Sequence, residues 1–143
     1  MKKYRIPIII VICILVFVSI FAFNKYNKIK YNSKTLGITL SFPASFKDKY
    51  TIKETNDSLS VYFKPEDQSS PKTGLLFTII KADSKDLNPD SYDNILKDKF
   101  ITINNQKYLV GSTTDVGFPD DNKEFKTYQK MKNQCKSIIE SIK

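Results

Sequence analysis

Side chains suited to chemistry are few in this sequence and fall in a handful of places. Asp115, Asp120, Asp121 and Glu124 crowd into TTDVGFPDDNKE, a cluster whose carboxylate oxygens could serve a hard cation. The spacing is not that of an EF-hand, and no glycine occupies its turn position. Asp121 followed by Glu124 also has the form of a capping box that opens a helix. Turn and cap chemistry is therefore the preferred reading and no metal site is expected. Asp115 and Asp120, with Tyr62, remain candidate surface contacts. Glu66 and Asp67 are adjacent on a polar loop, whereas acid and base carboxylates need a fixed gap of several ångströms on a rigid frame.

Nucleophiles fare no better. The chain contains no His, so the commonest general base is missing and no Ser-His-Asp or Cys-His arrangement can form. Ser69, Ser70 and Thr73 have no base in any motif. The four glycines (Gly37, Gly74, Gly111 and Gly117) make no phosphate-binding loop. Cys135 lies on the apolar stripe of a helical pattern and is expected to be buried rather than reactive. Tyr62, Phe63 and Phe77 offer a stacking platform for a ligand, but aromatics on strands more often serve the core. No cofactor is expected, and the domain is expected not to be an enzyme.

The elements that would position these groups are legible from periodicity. Leu36, Ile38, Leu40 and Phe42 alternate with small or polar residues as a half-buried strand does, and Pro43 ends it. Strands near 50–55 and 59–63 read as a hairpin turning at Asn56-Asp57. GLLFTIIKA, at 74–82, is a strand with almost nothing for solvent, as expected of a central one. Residues 64–73 read as a loop, and SYDNIL at 91–96 as a single helical turn. A second hairpin, 99–103 with 107–113, turns at Asn104-Asn105, a residue type that tolerates positive φ. Phe125, Tyr128, Met131, Cys135, Ile138 and Ile142 then recur every three or four residues, which marks the core face of a C-terminal helix of about 20 residues. The fold class is α+β, an antiparallel sheet packed against a long C-terminal helix.

Charge and hydropathy divide the chain. Residues 1–34 carry seven Lys or Arg and no acidic residue, while 35–143 hold the other 16 basic residues and all 15 acidic ones. Nucleic-acid binders gather positive charge on a folded face. Here the excess flanks an apolar stretch instead, so nucleic acid is not an expected partner. That stretch, IPIIIVICILVFVSIFAF, runs from Ile6 to Phe23 without a charge. As a helix it would span about 27 Å, close to the roughly 30 Å hydrocarbon core of a bilayer. Tyr4 and Tyr26 flank it where amphipathic rings prefer to lie.

The expected organisation is a cytoplasmic tail at 1–5, a transmembrane signal-anchor helix at 6–23, a juxtamembrane spacer at 24–35 and an extracytoplasmic domain at 36–143. Cleavage after Ala22, which would release a secreted form, is the minor alternative because the stretch is long and the site poor. Lys and Arg number three before the stretch and four after it, so that bias hardly orients the chain; a five-residue tail is too short to be a domain and is placed inside.

LGITLSFPASFKDKY resembles the start of small PsbP-like domains, an apolar strand followed by Phe-Pro and an aromatic-Lys pair. LSVYFKPEDQ, GLLFTIIKA and STTDVGFPDDNKEFKTYQKM with the closing IIESIK are similar to a group of extracytoplasmic domains of low-GC Gram-positive bacteria. The resemblance covers nearly all of 36–143 and implies an antiparallel sheet flanked by helices. It brings no catalytic residue, and PsbP-like domains are similar to binding or assembly modules. The expected function is thus a membrane-anchored, non-catalytic binding or accessory domain, its partners the lipid bilayer and a membrane or envelope protein. A sensor or inhibitor subunit of a membrane complex is the alternative, and a carboxylate-dependent hydrolase the more distant one.

Overall fold

Apolar alternation along successive strands, closed by one amphipathic helix, determines the architecture. The computed structural model describes residues 27–66, 74–85, 87–113 and 117–143, together with Ile12 and Ile14. The stretch expected to cross a membrane and Asp115 lie outside the described residues, apart from those two isoleucines. Among the described residues no helix is long and apolar enough to cross a membrane. The fold is α+β, with antiparallel sheets and one C-terminal helix.

Two strands, β1 (Ile29–Asn32) and β2 (Thr39–Phe42), form an antiparallel hairpin of their own. The remaining strands are β3 (Tyr50–Glu54), β4 (Ser58–Phe63), β5 (Leu75–Lys81), β6 (Asp93–Asn94), β7 (Phe100–Ile103) and β8 (Gln106–Ser112). They build a six-stranded antiparallel sheet in the order β3-β4-β5-β8, and β6 and β7 pair with the outer edge of β8. The helix α1 (Phe125–Glu140) closes the domain.

Strand β5 lies between β4 and β8, and six of its seven residues are buried. Leu59 pairs with Ile79 and Val61 with Phe77, so one face of the sheet is continuously apolar. Helix α1 and the β1–β2 hairpin cover that face: Tyr128, Met131, Cys135, Ile138 and Ile139 of the helix are buried there, with Phe125 and Ile142 partly buried beside them. Phe63, Phe118 and Tyr128 meet at its centre, with Phe63 edge-on to Phe118 at 5.0 Å. Gly74 is required here, because a Cβ would sit 2.6 Å from Tyr128 Cε2. On the opposite face, Thr78, Ile80 and Leu109 are also buried, and Tyr92 lies against Gly111.

Several local expectations are corrected. Part of the stretch read as a spacer, Ile29–Asn32, is a strand: Ile29 and Tyr31 alternate with Lys30 and Asn32, a signal too short to register among so many polar residues. The strand expected from Leu36 begins only at Thr39. Gly37, at φ 65°, turns the chain between β1 and β2, and Leu36 and Ile38 are buried within that turn. The helical turn expected over 91–96 forms two residues earlier, at Pro89–Ser91, where proline begins a 3-10 turn capped by Asn88; Asp93 and Asn94 are β6. The helix has 16 residues and starts after Glu124 without a side-chain cap. Asn122, rather than an Asp121–Glu124 box, accepts from the Glu124 N–H, and the Glu124 carboxylate accepts from the backbone N–H of Glu66. Asn104 and Asn105 have φ of 50° and 63°, as a tight hairpin turn demands.

Candidate functional site

The β1–β2 hairpin is attached to the larger sheet by a polar latch at one end and leaves an open groove at the other. At the latch, the Glu54 carboxylate on β3 accepts from Tyr31 Oη at 2.6 Å, from the Thr35 N–H at 3.2 Å, and from the Ser33 and Thr35 hydroxyls. Ser33 Oγ in turn accepts from the Leu36 N–H at 3.0 Å. Partial desolvation pushes the Glu54 pKa up, but the hydrogen bonds from Ser33, Thr35 and Tyr31 outweigh it together and hold the carboxyl at about 2. The same bond to Glu54, with burial added, raises the Tyr31 phenol to about 12. A carboxylate so fully engaged is a strut. General acid catalysis needs a shift in the other direction.

Beyond the latch, a groove of about 610 Å³ lies between β1 and β3. Its floor is Ile29 and Tyr31 from β1 with Tyr50 and Ile52 from β3, and its rim is Lys47, Asp48 and Lys64. The residue types follow from the strands. Alternate positions of β1 and β3 turn inward and are half-buried, whereas Lys30, Thr51 and Lys53 turn out. Tyr50 is fixed by stacking on Phe42 at 4.5 Å, with Phe46 at 6.1 Å. Pro43 ends β2 and the 3-10 turn Ala44–Phe46 follows; Asp48, at φ 62°, then reverses the chain into β3. Two smaller clefts adjoin, one bordered by Asn27, Lys28 and Ala44, the other lying between the 44–49 turn and α1; Lys47 borders all three.

The residues singled out from sequence do not converge on this groove. Tyr62 pairs with Thr51 on the opposite face of the sheet, its ring 5.1 Å beneath the Lys53 ammonium. Asp120 is exposed in the turn before α1, on the helix side. Asp115 is outside the described residues. Glu66 is exposed, 3.9 Å from Lys49. Cys135 is buried, its Sγ against the Met131 carbonyl at 3.4 Å, and burial pushes its thiol up to about 12 despite the nearby Lys132. Phe63 and Phe77 belong to the core. Among the described residues no three His, Cys, Asp or Glu side chains gather as a metal site would require. A separate cleft of about 410 Å³ at the β3–β4 turn holds Asp57, which Lys81 contacts at 3.4 Å.

Sequence reasoning missed both the latch and the groove. The available signal was the alternation of Ile29 and Tyr31 ahead of Ser33 and Thr35. Its pairing with Glu54, some 20 positions away, is a tertiary fact. No protein-family model, curated protein or solved structure matches the chain.

Proposed function

We propose that this protein is a single-span, membrane-anchored extracytoplasmic domain that acts by contact, as a non-catalytic binding or accessory module. The observation that carries the reading is a distance along the chain. The domain's first strand begins at Ile29, six positions after the uncharged apolar stretch 6–23 ends. If that stretch spans a bilayer, six steps of at most about 3.5 Å keep β1 within about 20 Å of its end. The β1 side of the domain is then held close to the membrane surface. The resemblance of 36–143 to PsbP-like domains adds a precedent for a binding or assembly role.

Two rivals are weighed by specific residues. A subunit that grips a membrane partner through a broad apolar patch would expose large hydrophobic side chains on the domain; among the described residues, the exposed ones are Ile12 and Ile14, ahead of it. A carboxylate hydrolase would place two acids in one cleft, whereas the β1–β3 groove is bordered by Asp48 alone. The test is purification of the full chain from membranes in mild detergent after brief crosslinking. The contact reading expects adducts with lipid or with an envelope protein and no turnover of generic ester, glycoside or peptide substrates. Robust hydrolysis abolished by Asp48→Asn would overturn it.

A further inference from the structure

The three clefts that meet at Lys47 share one chemical character. Lys28, Lys47, Lys49, Lys64 and Lys130 border them, against the single carboxylate of Asp48. Lys49 approaches Glu66 at 3.9 Å, but among the described residues Lys28, Lys47, Lys64 and Lys130 form no ion pair. The corner is also where the chain enters the domain, since Asn27 and Lys28 themselves border one cleft. The groove beside them is lined by Tyr31 and Tyr50, the Tyr31 hydroxyl bound to Glu54, together with Ile29 and Ile52.

We propose that this corner docks on the anionic phospholipid headgroups of the bilayer that holds residues 6–23, its lysines meeting lipid phosphates and its tyrosine-lined groove resting at the interface. The inference rests on the membrane tether proposed above and adds the face that is turned toward the lipid. The short connection holds the corner within reach of the surface. There an ammonium acts as a compact point charge suited to phosphodiester oxygens. Tyrosine favours the same boundary between headgroup and hydrocarbon. The opposite end of the sheet does not qualify. The seven residues of β5 separate it from the corner by about 23 Å, and Asp57 there is already met by Lys81.

The test uses the full chain in nanodiscs, either of phosphatidylcholine alone or of equal parts phosphatidylcholine and phosphatidylglycerol. A fluorophore carried by S45C, in a C13S background, reports contact with nitroxide-headgroup lipids. Ser45 is exposed at the corner, and buried Cys135 stays unlabelled. A second fluorophore carried by D83C reports from the far end. Docking predicts strong quenching at position 45 in the anionic discs only, little at 83, and loss of the signal in about 1 M salt, where screening shortens to about 3 Å. The combined K28Q, K47Q and K64Q variant should lower the docked-to-undocked ratio on the order of 100-fold, from roughly fivefold per lysine. Equal quenching at 45 in both lipids, in a chain that stays with the discs, overturns the docking while the tether stands. A chain that elutes apart from the discs overturns the tether and the docking with it. Release of the quenching by glycerol phosphate beyond that by chloride of equal ionic strength marks a site for a soluble phosphate, and also overturns the docking.

Discussion

The two parts of this domain are held by different forces. Where α1 meets β4 and β5 the contact is apolar, with Phe63, Phe118 and Tyr128 fully enclosed and Tyr128 Oη donating to the Leu75 carbonyl at 3.2 Å. The β1–β2 hairpin shares that core through Leu40 and Phe42, but its outer strand is held by the hydroxyls and the N–H that converge on Glu54. Apolar contact is indifferent to pH, whereas a carboxylate latch is not. The strand that continues toward the apolar segment is thus held partly by a charge, beside its pairing with β2 and the packing of Ile29 and Tyr31 on the core.

Substitutions at the two places should separate these forces. The largest loss is expected from Phe63→Ala, which removes a fully buried ring between Phe118 and Tyr128; unfolding in urea should show a cost of about 3–5 kcal/mol, with helix and sheet lost together. Glu54→Gln should cost less, about 1–3 kcal/mol, because one oxygen remains to accept while the charge is gone. Its signature is local: hydrogen exchange of the β1–β2 amides accelerates while β4 and β5 keep their protection. A uniform loss of protection would erase the distinction between the two regions.

Acid should reproduce that substitution. The Glu54 carboxyl sits at about 2 in the fold against an ordinary 4.5. Its folded pKa is depressed, so the latch is fully present above about pH 4.5 and is lost as pH falls from there through about 2. Protection of the β1 amides, taken against the intrinsic exchange rate at each pH, should fall across that window in the wild type and change little in the Glu54→Gln chain. The smallest effect belongs to Ser112, whose buried hydroxyl has no hydrogen-bond partner among the described residues. Ser112→Ala should be neutral or stabilising by up to about 1 kcal/mol in thermal unfolding, and a clear loss would mean that the hydroxyl is engaged.

The regular parts of the fold were legible because they repeat. Alternation along β4, the largely apolar run of β5 and the helical recurrence of Tyr128, Met131, Cys135 and Ile138 each mark a buried surface. The latch and the groove were not legible, for a physical reason. Strand β1 is four residues long with two inward positions, too few to set a period, and Glu54 acquires its role only when the sheet brings it opposite Ser33 and Thr35. At the helix start Asp121 and Glu124 match a capping pattern by spacing alone, while Asn122 takes the contact. Asp120 and Tyr62 are ordinary polar and aromatic residues of turn and strand, on different sides of the sheet.

The most direct measurement asks where the folded domain stands relative to a membrane. Ser137 is exposed on α1, whereas Cys135 is buried and slow to react, so S137C in a C13S background gives one accessible thiol on the domain. Intact cells expressing that chain are treated with a membrane-impermeant maleimide, and membranes are then washed at alkaline pH. The account predicts labelling without lysis and a labelled chain that stays in the washed membranes. A chain that is labelled only after lysis, or that leaves the membranes in the alkaline wash, contradicts it.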